Sequence, residues 1–257
     1  MLKVRIIPTL LYKDFGLVKG RSFESWRRIG PVLPAVKIFN SREVDELIFL
    51  DITSTNKGTN PDYESISELS KFCFVPLTVG GGINKIEQVD KLIEIGADKV
   101  SINSASYEDP EIISKVANRF GKQCVVASID VKFENNEWIC YKNSGLKRTN
   151  KNLLKWAKEL EILGAGEILI TSIDRDGSMK GYDQELISLL TKNLRIPVIA
   201  SGGAGPYDDL FFAVSNAGAS AVAAASIFQF TESTPNDVKN YLSSKGMPVR
   251  KNYSDVF

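Results

Sequence analysis

The stretch Pro76-Leu77-Thr78-Val79-Gly80-Gly81-Gly82-Ile83 decides the fold, because the other half of the chain carries a second copy of it. Val79-Gly80-Gly81-Gly82-Ile83 matches Ala200-Ser201-Gly202-Gly203-Ala204, an offset of 202 − 81 = 121. Working outward, Glu46-Leu47-Ile48-Phe49-Leu50-Asp51 matches Glu167-Ile168-Leu169-Ile170-Thr171-Ser172 at 167 − 46 = 121. Gly96-Ala97-Asp98-Lys99-Val100-Ser101 matches Gly218-Ala219-Ser220-Ala221-Val222-Ala223 at 218 − 96 = 122. Coincident offsets mark a duplication, with half-repeats at about 1–120 and 121–250.

The matched segments include short runs rich in Val and Ile, the pattern of strands buried on both faces. Such runs fall at Val4–Thr9, Glu46–Asp51, Pro76–Gly80, Lys99–Ile102, Cys124–Asp130, Glu167–Ser172, Pro197–Ser201 and Ala221–Ala223. Between them, Lys85–Ile95, Pro110–Phe120, Asn152–Leu163 and Asp183–Leu190 read as helices. In the first, Val89, Leu92 and Ile93 share one face, with Glu87, Asp90 and Lys91 around the other. Pro110 suits a first helical turn. Eight strand–helix units predict an α/β fold, a (β/α)₈ TIM barrel forming one domain over residues 1–257, in preference to a doubly wound open sheet. Lys13–Gly30 reads as a long irregular loop over the active face, and Val131–Lys142 as a β-hairpin turning at Glu134-Asn135-Asn136-Glu137. Lys251–Phe257 reads as a loosely held tail.

Composition narrows the chemistry. Lys and Arg number 32 against 31 Asp and Glu, so no global field favours nucleic acid or an anionic membrane. No apolar run reaches the roughly 18 residues of a membrane span. Met1-Leu2-Lys3-Val4-Arg5 leads straight into a strand, which predicts a cytoplasmic protein without a signal peptide. The absence of histidine excludes Ser-His and Cys-His nucleophiles and removes the commonest zinc ligand. Neither metal nor cofactor is expected. Cys73, Cys124 and Cys140 form no CxxC pattern and read as buried free thiols. Acid–base work therefore falls to Asp, Glu, Lys, Tyr or Cys.

The glycine runs after strands three and seven let consecutive backbone N–H groups approach a phosphate. Strands four and eight end in Asn103-Ser104 and Ala225-Ser226, which add amides and hydroxyls. Two such sites on opposite rims suit a long bisphosphorylated ligand. Tight turns alone are the competing explanation. Asp51, Asp130 and Asp176 fall at or just after strand C-termini, where carboxylates do chemistry or bind hydroxyls. Asp174-Arg175-Asp176-Gly177 is equally readable as a polar turn.

Arg5-Ile6-Ile7-Pro8-Thr9-Leu10-Leu11 opens the first half as Cys124-Val125-Val126-Ala127-Ser128-Ile129-Asp130 opens the second. An offset of 130 − 11 = 119 sets Leu11 against Asp130, so an apolar residue stands where a facing carboxylate is expected. At the other end, Arg5, Glu46, Lys99 and Glu167 begin strands and ring the barrel bottom with alternating signs. Spacing alone favours an ion-pair plug over a gate.

Several motifs converge on one family. They are Arg5-Ile-Ile-Pro8, Asp45-Glu-Leu-Ile-Phe-Leu-Asp-Ile-Thr53, Pro76-Leu-Thr-Val-Gly-Gly-Gly-Ile83, Gly96-Ala-Asp-Lys-Val100, Asp174-Arg-Asp-Gly177 and Val198-Ile-Ala-Ser-Gly-Gly-Ala-Gly205. The chain resembles the cyclase subunit of imidazole glycerol phosphate synthase, the HisF family, over nearly its whole length. The resemblance implies a barrel docked on a glutaminase, with ammonia passing through it to a phosphorylated aminoimidazole ribonucleotide on the far rim. It implies that Arg5, Glu46, Lys99 and Glu167 gate the ammonia and that Asp98 faces the glutaminase. It makes Lys19 a mobile-loop lysine and places Gly82, Asn103, Asp176, Gly177, Gly203 and Ser226 at phosphate positions. Asp51, Ser104 and Ala225 join them as substrate-side residues.

The departures are equally specific. The family closes strand one with Cys-Leu-Asp, and this chain has Thr9-Leu10-Leu11. The lost aspartate is the family's proposed general acid, paired with Asp130 as base, and Asp14 is too displaced to replace it. A branch of HisF-like paralogues shares the pattern of Leu10–Lys19. That branch works with a glutaminase paralogue and a sugar amidotransferase on bacterial surface glycans. The reading is an ammonia-conducting barrel with impaired cyclase activity. Its rivals are an authentic histidine-pathway cyclase and a scaffold that regulates the glutaminase.

Overall fold

The computed structural model describes residues 3–14 and 16–251. Eight parallel strands form the centre: β1 (Arg5–Lys13), β2 (Leu47–Asp51), β3 (Leu77–Gly80), β4 (Lys99–Ile102), β5 (Val125–Glu134), β6 (Glu167–Ser172), β7 (Val198–Ser201) and β8 (Ala221–Ala224). Each pairs with the next, β5 pairs with β6 through Asp130↔Thr171, and β8 returns to β1 through Arg5↔Ala221, closing the cylinder. The fold is a (β/α)₈ barrel.

The two-sided burial read from the Val/Ile runs has a direct structural cause. Outward residues such as Ile6, Phe49, Val79 and Val100 pack under the helices in one continuous core. Inward residues Ile7, Ile48, Val126, Leu169, Ile199, Ala221 and Ala223 form a separate apolar layer inside the cylinder. The helices surround it as expected, with small boundary differences. Ile86–Glu94, Leu153–Leu163 and Gln184–Thr191 fill the predicted spans, the last two capped by Asn152 and Asp183 through side-chain acceptors. Pro110 is the cap of Glu111–Phe120 rather than part of its first turn.

Two departures bear on the site. The predicted first loop is a β-hairpin, Gly16–Arg21 against Glu24–Gly30, continuing antiparallel from β1 through Leu11↔Val18. Its two turn residues, Ser22 and Phe23, have φ of 51° and 62°, the left-handed pair that a two-residue hairpin turn demands. The second hairpin turns at Asn135-Asn136 as read, but gains a third strand, Lys147–Asn152. Of the three free cysteines only Cys140 is buried, whereas Cys73 and Cys124 are half-buried, which corrects the expectation for those two. Apart from Lys251, the predicted loose tail lies outside the described residues. Among the described residues no helix is long and apolar enough to cross a membrane.

Candidate active site

One cavity of about 410 Å³ opens at the strand C-termini, and the sequence-predicted residues of that face all line it. Leu11 and Leu50 come from β1 and β2, Asp130 from β5 and Thr171 from β6. Asp51, Gly82, Asn103, Ser104, Asp176, Gly177, Gly203, Ala225 and Ser226 come from strand ends and the turns after them. Lys19 reaches in from the first hairpin together with Phe23 and Trp26, two lining residues that sequence reasoning missed.

Asp130 is 9 % exposed, and Asn103 Nδ2 donates to its Oδ2 at 2.7 Å. Burial, reinforced by the negative charge of Asp176 and opposed by the Thr171 hydroxyl, pushes this carboxyl up to about 7. It can therefore give or take a proton near neutrality. The other carboxylates that line the cavity are committed, Glu108 to Lys142 and Asp109 to Lys115 among them. Asp51 accepts from the Thr53 and Ser54 amides and from both their hydroxyls. Asp176 takes Lys19 Nζ on both oxygens at 2.8 Å, with Lys19 only 4 % exposed. Asp14 pairs with Lys57 on the surface. Leu11, 8 % exposed, puts a branched apolar side chain on the cavity wall.

The linkage of Asp130 has a definite sign. A carboxyl raised in the folded state binds its proton more tightly than the unfolded chain does, so it costs stability as pH rises from its ordinary value towards 7. Asp130→Asn removes that cost. Its stabilisation in urea unfolding is expected to grow by about 3 kcal/mol between pH 5 and pH 8. A gain independent of pH would mean that Asp130 is not perturbed.

The glycine turns are sterically enforced at two places. Gly203 has φ 107°, and a Cβ there would lie 2.2 Å from the Gly181 carbonyl oxygen. Gly177 has φ 71°, and its Cβ would meet the Gly20 carbonyl oxygen at 2.2 Å, so only glycine lets the first hairpin settle on this turn. Ser22 N completes that contact by donating to the Asp176 carbonyl at 2.9 Å. Three buried polar atoms on cavity residues, Thr9 Oγ1, Asn103 Oδ1 and Ser226 Oγ, have no hydrogen-bond partner among the described residues. Such atoms are costly unless a polar ligand or water meets them.

At the other end, Arg5 Nη1 lies 2.8 Å from Glu46 Oε1 and 2.7 Å from Glu167 Oε1. Lys99 Nζ lies 3.1 Å from Glu46 Oε2 and 3.1 Å from Glu167 Oε2. The four residues make a closed ring in which each cation bridges both carboxylates. The side chains are 8–20 % exposed. Asp98 is exposed near this rim, its Oδ2 accepting from Leu77 N at 2.8 Å.

The family model described as "Histidine biosynthesis protein" matches residues 5–234. A Campylobacter jejuni protein provisionally described as imidazole glycerol phosphate synthase subunit hisF2 is 47 % identical over 250 residues, covering 97 % of this chain and 99 % of that one. The chain belongs to the HisF family. Imidazole glycerol phosphate synthase subunits HisF of Dehalococcoides mccartyi and Chlorobaculum parvum are 46 % and 44 % identical over 250 residues, covering 97 % of this chain and 99 % and 100 % of theirs. This HisF-family barrel thus has full-length relatives, and its own cavity combines the glycine turns with Leu11 on β1.

Proposed function

We propose that this HisF-family barrel conducts ammonia from a docked glutaminase to its upper rim, with a cyclase step of its own that Leu11 impairs. The acceptor of the nitrogen, on this reading, is a surface-glycan sugar held by a partner amidotransferase, and a phosphorylated small molecule occupies the cavity. The observation that carries the reading is the solitary state of Asp130. Leu11 stands on the wall, and Asp51 and Asp176 are held by hydrogen bonds and by Lys19. Proton donation and proton removal at one substrate normally need two groups, and losing one costs about 10²–10⁴-fold in rate.

The bottom ring and the apolar layer above it suit neutral ammonia. Ile7, Ile48, Val126 and Leu169 stand between the ring and the cavity, and a charged ammonium ion would be strongly disfavoured among them. As a gate, the ring passes nitrogen when Lys99 swings away from its two carboxylates. Asp98, exposed on the same rim, belongs to the face a glutaminase would cover. Unpartnered Ser226 Oγ and the Gly82 and Gly203 turns support an anionic ligand such as a phosphate. The resemblance of Leu10–Lys19 to the glycan-linked branch supports the sugar acceptor.

An authentic cyclase is the second reading, favoured by the 46 % identity to a named HisF subunit over 97 % of the chain. Turnover of the purified barrel with ammonium salt and the ribonucleotide substrate separates the two, because ammonium bypasses the glutaminase. The proposal expects turnover near background. Turnover typical of a competent enzyme, about 1 s⁻¹ or faster, would establish the second reading instead.

A further inference from the structure

Asn103 stands directly after β4 and caps the short helix Ser104–Glu108 with its backbone. Its carbonyl accepts from Ser106 N at 3.0 Å and from Ser106 Oγ at 2.7 Å, which fixes the main chain. The pairing Ile102↔Ala127 sets the end of β4 alongside β5, three residues before Asp130, so the Asn103 side chain reaches Asp130. One Nδ2 donor is spent on Asp130 Oδ2 at 2.7 Å. Its Oδ1 is buried without a partner. An unpartnered acceptor has the wrong polarity for a phosphate oxygen and the right one for an N–H group.

We propose that the Asn103 side chain positions Asp130 and does not itself bind phosphate, whatever its backbone amide does. Its amide occupies Oδ2, so the transferable proton resides on Oδ1, and its own Oδ1 is left to receive an N–H of the incoming nitrogen nucleophile. The inference rests on Asp130 being the remaining acid–base group of the barrel. With Leu11 in place of a second carboxyl, Asn103 and the Thr171 hydroxyl are the polar groups that hold Asp130 in one orientation. A donor on Oδ2 favours the ionised carboxyl, in the same direction as the Thr171 hydroxyl and against the burial that raises the group.

The test is a titration of the Asp130 carboxyl by ¹³C NMR in the full chain and in Asn103→Ala, beside calorimetric binding of inorganic phosphate. The midpoint is expected to rise by about one pH unit when the donor is lost. Phosphate affinity should stay within about twofold, because a positioning residue contributes nothing to it. An unmoved midpoint, or phosphate affinity weakened about tenfold or more, overturns the proposal. Should Asn103→Ala not fold, Asn103→Asp gives an independent reading. Two carboxyls at hydrogen-bond distance share a proton, so the pair must titrate in two widely separated steps. Two ordinary carboxylate titrations there would equally overturn it. Neither readout depends on where ammonia goes or on cyclase turnover, so failure here is separable from failure of the proposed function.

Discussion

Leu11→Asp is expected to raise ammonium-driven cyclase turnover of the isolated barrel by about 10²–10⁴-fold. The backbone need not change, since Leu11 lies in a regular strand paired with Val18 on one side and Leu50 on the other. Its side chain already lines the cavity that contains Asp130. On the proposed reading, the substitution adds a proton donor to the cavity that contains the acceptor, and two groups can then hold opposite protonation states during one turnover. The gain has a structural cost. A further carboxyl enters a cavity already lined by Asp51, Asp130 and Asp176, and burial together with like charge raises its titration and that of Asp130. A raised carboxyl loses stability as pH increases, so the variant should be less stable than wild type at pH 8 and approach it at pH 4. Steady-state assays with ammonium chloride, with unfolding curves at both pH values, check the two halves of this expectation. An equal rate in the two proteins would show that Leu11 does not limit the chemistry.

Glu46→Ala should act at the opposite end, on stability and on coupling. Glu46 pairs with both Arg5 and Lys99, and its loss leaves each cation with Glu167 alone. Breaking a largely desolvated ion pair by deleting one partner typically costs about 3–5 kcal/mol, and the partial exposure of Arg5 places this ring near the lower figure. If the ring gates ammonia, glutamine-driven nitrogen transfer in the glutaminase complex should fall about tenfold, which corresponds to about 1.4 kcal/mol. Ammonium-driven transfer should stay within about twofold, because external ammonium does not cross the ring. Urea unfolding reads the first effect, and the ratio of the two nitrogen sources reads the second. An unchanged ratio with lowered stability would make the ring a structural plug, as spacing alone suggests.

The contrast between the two hairpins explains what could be read beforehand. Asn135 and Asn136 adopt φ of 50° and 64°, and asparagine is a frequent left-handed residue, so the turn was legible. Ser22 and Phe23 adopt the same conformation without a residue type that advertises it. With Gly16 and Gly20 in the flanking strand, the segment resembled a loop, and Phe23 and Trp26 were lost as wall residues. That hairpin is held in place by tertiary contacts instead, through Ser22 N to Asp176 O and the Lys19–Asp176 ion pair.

The sequence by itself determined the eight strand–helix units, the twofold pattern of glycine turns and the opposition of Leu11 to Asp130. These are features of local periodicity and of duplication, which leave their record in consecutive residues. Only the tertiary structure decided which side chains became partners. Lys19 and Asp176 are 157 residues apart, and Asn103 meets Asp130 across neighbouring strands 27 residues apart. Such pairs are chosen by barrel closure and burial, where an unpaired charge is costly, and no repeating pattern along the chain encodes the choice.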